Sequence, residues 1–197
     1  INPLLKRPIS LFAFSAIVSV ATMLLYNIPF FNYVVEHTNQ STGVRVFLMA
    51  SLVVIMLLVN FLMTYLIMYL MRMAGRILLM ILAIINATAL YFIITYNIII
   101  DEITIGNVFN TRYSEASGFF SWSLWAFIIA FGVLPGVVCL LQPVVYGKAK
   151  KMGKYCGTSL AIVLALIVAN YNQLLWIGEH DTELGGLLQP WSYVVTT

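Results

Sequence analysis

Five long stretches without a charged residue divide this chain, and they constrain its fold more than any other feature. They cover Pro8–Val35, Val46–Met71, Ile77–Ile100, Ala116–Gly147 and Tyr155–Gly178. A helix needs about 20 apolar residues to cross a hydrocarbon core of roughly 30 Å, so each stretch is long enough to span a membrane. The composition, 62% apolar and 9% charged residues, is far from that of a soluble domain. We therefore predict an all-α membrane protein built as a five-transmembrane-helix bundle.

The charged residues separate into two groups when the chain is threaded through a membrane five times. One side receives eight basic residues: Lys6, Arg7, Arg72, Arg76, Lys148, Lys150, Lys151 and Lys154. The other side receives Arg45, Arg112 and all seven acidic residues: Glu36, Asp101, Glu102, Glu115, Glu179, Asp181 and Glu183. Because short loops rich in Lys and Arg face the cytoplasm, we predict a cytoplasmic N-terminus and a C-terminus on the outer side, which is the periplasm in a bacterium. Any chemistry that the chain supports is expected on the acidic side.

The hydropathy pattern also gives approximate bounds for the elements. The five helices are predicted over about 9–31, 45–71, 77–100, 121–145 and 157–177. Residues 1–178 are predicted to form one transmembrane domain, and residues 179–197 the start of a periplasmic linker along the outer surface. Pro29 is expected to loosen the last turn of the first helix, and Pro135 to kink the fourth helix near its middle.

Several function classes do not fit this sequence. The net charge of +3 is divided among loops that flank helices, so no basic surface is available for nucleic acid and no such partner is expected. His37 and His180 lie in different outer loops, and no Cys/His cluster has metal-ligand spacing, so no metal site is predicted in this chain. The absence of charges within the spans argues against an ion-coupled transporter or channel. We interpret polar residues inside the spans, such as Asn60 and Asn86, as interhelical hydrogen-bonding groups.

The segment between the third and fourth spans carries the most specific signal for function. At helical periodicity it divides into a polar side and an apolar side, which predicts an interfacial periplasmic helix over about 104–118. Asn107, Thr111 and Glu115 are spaced by four residues, so their side chains would form a row. The carboxylate could pair with the ammonium of a lipid head group, and the amide and hydroxyl with phosphate oxygens. The same row would also suit a solvated helix face that binds nothing, and spacing alone leaves both interpretations open.

At these residues the chain resembles the membrane domain of the bacterial phosphoethanolamine transferases, a family that includes the mobile colistin-resistance enzymes. The resemblance is carried by Tyr91-Phe92, Thr95-Tyr96, Asp101, Asn107-x-x-x-Thr111-x-x-x-Glu115-Ala116, Gly132-Val133-Leu134-Pro135 and Pro190-Trp191-Ser192-Tyr193-Val194.

The resemblance implies five transmembrane helices joined to a periplasmic, alkaline-phosphatase-like domain with a threonine nucleophile and zinc. Such an enzyme takes phosphoethanolamine from phosphatidylethanolamine and passes it to lipid A or another envelope acceptor, a modification linked to polymyxin resistance. Asn107, Thr111 and Glu115 are accordingly expected to hold the donor head group at the outer face of the bacterial inner membrane. The nucleophile and zinc ligands are not recognisable in residues 1–197. We therefore expect no catalytic residue or cofactor in this chain, zinc in a missing catalytic domain, and no transferase activity from this chain alone.

Two other interpretations are open. A lipoteichoic-acid-synthase-like protein also joins five helices to an outer phosphatase-like domain, but its glycerol-bearing donor has no amine to pair with Glu115. A non-enzymatic membrane scaffold or lipid-binding subunit would make the polar row ordinary surface. Lipid binding distinguishes the three interpretations. Preference for phosphatidylethanolamine favours the transferase, preference for phosphatidylglycerol favours the synthase-like protein, and no preference favours the scaffold.

Overall fold

A computed structural model of the chain describes residues 7–38, 41–96 and 121–190, and this part is almost entirely helical. The helices are α1 Leu11–Tyr26, α2 Ile28–His37, α3 Thr42–Met71, α4 Met73–Tyr96, α5 Trp122–Ile128, α6 Leu134–Leu141, α7 Ala149–Ala169, α8 Leu174–Glu179 and α9 Asp181–Leu187. A π-helical segment, Ile129–Val133, joins α5 to α6, and a 3₁₀ turn, Tyr171–Gln173, precedes α8. Two short strands, β1 Ile9–Ser10 and β2 Val144–Val145, pair in parallel.

Several of these helices are long and apolar enough to cross a membrane. Four stretches meet this condition as single helices: Thr42–Met71, Met73–Tyr96, Trp122–Leu141 and Lys151–Ala169. The pair α1 and α2 provides a fifth crossing if the two count as one bent span, with an angle of 59° between them. The all-α membrane fold predicted from the sequence is confirmed.

The first span differs from the continuous helix predicted over about 9–31. The chain breaks at Asn27, whose φ of −106° and ψ of 13° interrupt the helical geometry, and it resumes as α2 at Ile28. Pro29 therefore lies in the first turn of a new helix, where its missing N–H costs no hydrogen bond, rather than loosening the end of an old one.

The fourth span remains continuous through Pro135 by changing its helical register. The N–H of Leu134 donates to the carbonyl of Ile129, five residues earlier, which closes the π-helical segment. Pro135 has no N–H to donate to the Phe131 carbonyl one turn earlier, and the hydroxyl of Tyr26 on α1 donates to that carbonyl instead. A neighbouring helix thus satisfies the backbone group that the proline leaves open, as the bilayer interior requires.

Close contact between α4 and the fourth span depends on two glycines. A Cβ on Gly132 would lie 2.9 Å from the Cα of Ile84, and a Cβ on Gly136 would lie 2.8 Å from the Cγ of Met80. Small residues of this kind let transmembrane helices approach closely, where van der Waals packing holds them together. On the other side of the bundle, α1 and α7 pack against α3.

The charged residues that the structure describes are sorted toward the two ends of the bundle. At the basic end, where α1, α4 and α7 begin, the Arg72 guanidinium lies 5.7 Å from the ring centre of Tyr146. There the Nη1 of Arg76 donates to the carbonyl of Leu140. At the acidic end, where α2 and α4 end, α9 carries Asp181 and Glu183 in its first turn. There the negative charges interact favourably with the positive end of the α9 helix dipole.

The last third of the chain departs most from the predicted bounds. The fifth helix is predicted over about 157–177, but α7 covers Ala149–Ala169. It begins earlier, within the basic loop, and it ends earlier, with Asn170 as its C-cap. The segment predicted as the start of a linker, 179–197, is instead packed into the bundle as far as Pro190. Leu184 and Leu187 are buried in one apolar cluster with residues of α2, α3 and α4.

Candidate functional site

The predicted donor-binding residues Asn107, Thr111 and Glu115, and the interfacial helix over about 104–118, lie outside the described residues. The positions on either side of this segment are described. Tyr96 is the last residue of α4, and Ser121 is the N-cap of α5. Both positions are at the acidic end, so the segment that carries the polar row begins and ends there.

A hydrogen-bonded group holds these two positions together. The hydroxyl of Tyr91 on α4 lies 3.0 Å from the Oγ of Ser121 and 3.4 Å from the Oγ of Ser123. The Oγ of Ser121 also accepts the N–H of Leu124, which caps α5. The ring of Tyr91 is buried and packs edge-on against Phe127, with ring centres 5.7 Å apart. Tyr91 thus ties the end of α4 to the start of α5.

A second connection at this end joins the bend in the first span to the C-terminal part of the chain. The Nδ2 of Asn27 donates to the carbonyl of Gln189 at 3.0 Å, and the N–H of Gln189 donates to the Oδ1 of Asn27 at 3.0 Å. Both residues are fully buried. The amide of Asn27 therefore pairs with the backbone as a neighbouring strand would, and it fixes the segment after α9 against the bend.

Two histidines that sequence reasoning assigned to separate loops lie in one aromatic group. His37 stacks on Tyr33 with ring centres 4.0 Å apart, and His180 stacks on Trp176 at 4.7 Å. The rings of Tyr33 and His180 are 6.2 Å apart, which joins the two pairs. In both histidines the Nδ1 is hydrogen-bonded to a carbonyl of its own helix. The aromatic group packs α8 against α2.

The zinc that the resemblance implies does not fit the part of the chain that is described. Within residues 7–38, 41–96 and 121–190, no group of three His, Cys, Asp or Glu side chains is placed to hold a metal ion.

Sequence reasoning treated the polar residues inside the spans as hydrogen-bonding groups between helices, and for Asn60 and Asn86 this stays a prediction. Asn60 and Thr64 of α3 and Asn86 of α4 line one cavity of about 390 Å³ between α1, α3, α4 and α6. Thr88 instead donates to the carbonyl of Ile84 on its own helix. No sequence signal marked the cavity, because it arises from the spacing of four helices that are far apart in the chain.

These features define a class of protein: a multi-pass α-helical membrane domain with a polar end where two connections converge. Residues 55–197 match the family described as phosphoethanolamine transferase EptA/EptB. The chain is 31% identical over 189 residues to phosphoethanolamine transferase EptA of Helicobacter pylori. This alignment covers 96% of the chain and 35% of that protein.

The chain belongs to the phosphoethanolamine transferase EptA/EptB family and corresponds to its membrane domain. Its fold is similar to that of the integral membrane protein lipooligosaccharide phosphoethanolamine transferase A (EptA) from Neisseria meningitidis, with a TM-score of 0.80 at 20% identity. That similarity covers 92% of this chain and 34% of the solved chain. The chain therefore spans about a third of the length of the relatives it matches.

Proposed function

We propose that this membrane domain binds the phosphatidylethanolamine donor of a transferase that passes phosphoethanolamine to lipid A or another envelope acceptor. Family membership carries the proposal. It is supported by the geometry of the acidic end, where the segment with Asn107, Thr111 and Glu115 begins and ends.

The residue types of the polar row suit the donor head group. The Glu115 carboxylate pairs with the ammonium, while the Asn107 amide and the Thr111 hydroxyl donate to phosphate oxygens. At head-group depth the ion pair is only partly hydrated, so its attraction is stronger than in bulk water. The donor is thus held by its two polar groups while its acyl chains stay at membrane depth.

The two hydrogen-bonded connections serve to position this segment. Tyr91 and Ser121 keep its start and end together, and the pair Asn27 and Gln189 fixes the neighbouring chain. A segment whose flanking helices are fixed loses less conformational freedom when a lipid binds to it, and this favours affinity.

We further propose that the acidic end faces the periplasm of the bacterial inner membrane. The described basic residues Arg72, Arg76 and Lys148 lie at the opposite end, in short connections next to spans, where cationic residues mark the cytoplasmic side. The threonine nucleophile and the zinc of the transfer reaction are assigned to the remainder of the full-length enzyme.

Donor preference tests this proposal. Full-length protein would be reconstituted into nanodiscs, and binding of labelled phosphatidylethanolamine and phosphatidylglycerol compared for the wild type and Glu115→Gln. The proposal predicts a preference for phosphatidylethanolamine that Glu115→Gln abolishes. As the matched control, Glu36→Gln changes an exposed carboxylate at the same end and is expected to keep the preference. Preference for phosphatidylglycerol, or none in the wild type, would contradict the proposal.

A further inference from the structure

We propose that the cavity between α1, α3, α4 and α6 holds one acyl chain of the donor phospholipid. The inference deepens the proposed function and rests on it for the identity of the lipid. The occupancy of the cavity by an acyl chain rests on the geometry of the bundle.

The lining of the cavity matches a hydrocarbon ligand. Apolar side chains dominate it, among them Ile17, Leu82 and Val138, and its volume of about 390 Å³ lies in the range of ligand pockets, roughly 300–1,000 Å³. A few polar side chains, including Asn60 and Asn86, interrupt the apolar wall. This pattern is typical of sites in which apolar contacts supply affinity and a few polar groups set the position of the ligand.

The cavity is accessible from the surrounding lipid. Ile17 on α1 and Val138 on α6 line it, and their side chains are 61% and 49% exposed. These helices rest on different partners, α1 on α3 and α6 on α4. The opening therefore lies between α1 and α6, at a depth where the surrounding medium consists of acyl chains.

The cavity is elongated along the helices. On α1 its lining extends from Ile17 to Tyr26, which at 1.5 Å per residue corresponds to about 14 Å. On α3 it extends from Asn60 to Ile67, about 10 Å in the same direction. An acyl chain in a bilayer runs along this direction, so it fits the cavity without turning.

The end of the cavity that is nearer the acidic end of the bundle indicates that the lipid is the donor rather than an arbitrary lipid. Tyr26 and Pro190 line this end, directly beside the hydrogen-bonded pair Asn27 and Gln189. A lipid with one chain in the cavity would place its glycerol near this pair and its head group at the acidic end. The segment that carries Asn107, Thr111 and Glu115 begins and ends at that same end.

Photo-cross-linking tests the proposal directly. Full-length protein in nanodiscs would receive phosphatidylethanolamine with a diazirine in one acyl chain, and the labelled residues would be mapped by mass spectrometry. We expect labelling to concentrate on the cavity-lining residues of α1 and α6. Ala21→Phe places a ring in the cavity and is expected to reduce this labelling roughly tenfold, equivalent to about 1.4 kcal/mol of binding free energy.

Matched variants distinguish the effect of filling the cavity from a general disturbance of the fold. Val20→Phe adds a ring at the adjacent residue of α1, which faces outward, and is expected to leave the labelling unchanged. If Ala21→Phe does not fold, Val138→Phe blocks the opposite wall, with the outward-facing Leu134→Phe as its control. Even labelling over outward-facing residues such as Leu24 and Leu160, with no loss in either cavity variant, would overturn the proposal.

A phosphatidylglycerol probe with the same diazirine distinguishes this proposal from the proposed function. Equal labelling of the cavity by both lipids would support the acyl-chain site and contradict donor selectivity at the head group. Absence of cavity labelling by either probe would overturn the acyl-chain site, whereas a Glu115-dependent donor preference would still support the proposed function.

Discussion

Asn27 and Gln189 exchange two hydrogen bonds of 3.0 Å although 162 positions separate them in the sequence. The pair is fully buried and lies where the first span bends by 59°. It joins the first span to the C-terminal segment, because Asn27 at the bend supplies the side-chain amide and Gln189 after α9 supplies the backbone N–H and carbonyl. The bend and the C-terminal segment therefore depend on each other.

Replacing this amide should weaken the acidic end. Asn27→Ala removes the two buried hydrogen bonds with the N–H and the carbonyl of Gln189, and each such loss costs about 1–3 kcal/mol. We expect a lower thermal unfolding temperature in detergent and faster proteolysis of the segment after α9. Asn32→Ala, at an exposed position of α2, is the matched control and should behave like the wild type. Equal stability of the two variants would show that the pair contributes nothing.

The contact between α4 and the fourth span should be sensitive to one methyl group. In Gly132→Ala the new Cβ would lie 2.9 Å from the Cα of Ile84, and the backbone cannot yield as a flexible side chain would. Overpacking of this kind costs about 1–3 kcal/mol, so the unfolding temperature should fall. Gly157→Ala on α7 meets no atom within 4 Å and should be neutral or slightly stabilising. A similar loss in both variants would rule out the close approach as the cause.

The hydroxyl of Tyr91 should influence donor use through the position of the segment that follows α4. Tyr91→Phe removes its hydrogen bonds with Ser121 and Ser123 at a cost of about 0.5–1.5 kcal/mol. In the full-length enzyme we expect the KM for phosphatidylethanolamine to rise while protein yield is maintained. Tyr171→Phe changes an exposed tyrosine and serves as the control. An unchanged KM in Tyr91→Phe would show that this anchor does not position the donor site.

The proposed orientation predicts which loops react with a membrane-impermeant thiol reagent applied to cells with permeable outer membranes. Ser41→Cys and Gly178→Cys lie at exposed positions of the acidic end and should be labelled from outside. Gly147→Cys lies at an exposed position near the basic end and should be labelled only after lysis. The reverse pattern would invert the topology.

Hydropathy and charge were sufficient to predict the membrane fold, because the cost of burying charge in a bilayer determines where spans can lie. The bend at Asn27 could not be predicted in this way, since its hydrogen-bonding partner is Gln189 at the other end of the chain. Pro29 did mark the vicinity of the break. Its position in the first turn of α2 is favourable only because tertiary contacts stabilise a helix start there.

The return of the C-terminal segment onto the bundle has only a weak signal in the sequence. Asp181 and Glu183 precede Leu184 and Leu187, which is the pattern of an acidic helix start followed by apolar residues one turn apart. The cavity had no such signal, because its walls come from four separate helices. Asn107, Thr111 and Glu115 lie outside the described residues, so their role remains a prediction from their spacing and the family resemblance.

The most direct test of the central claim is the mass of lipid A from cells that produce full-length wild-type enzyme or its Glu115→Ala variant at equal protein levels. We expect Glu115→Ala largely to abolish addition of phosphoethanolamine, because the donor ammonium loses its only proposed carboxylate partner. Glu36→Ala, at an exposed position of the acidic end, should retain the modification. Unchanged modification of lipid A by Glu115→Ala would contradict the proposed role of Glu115 in donor binding.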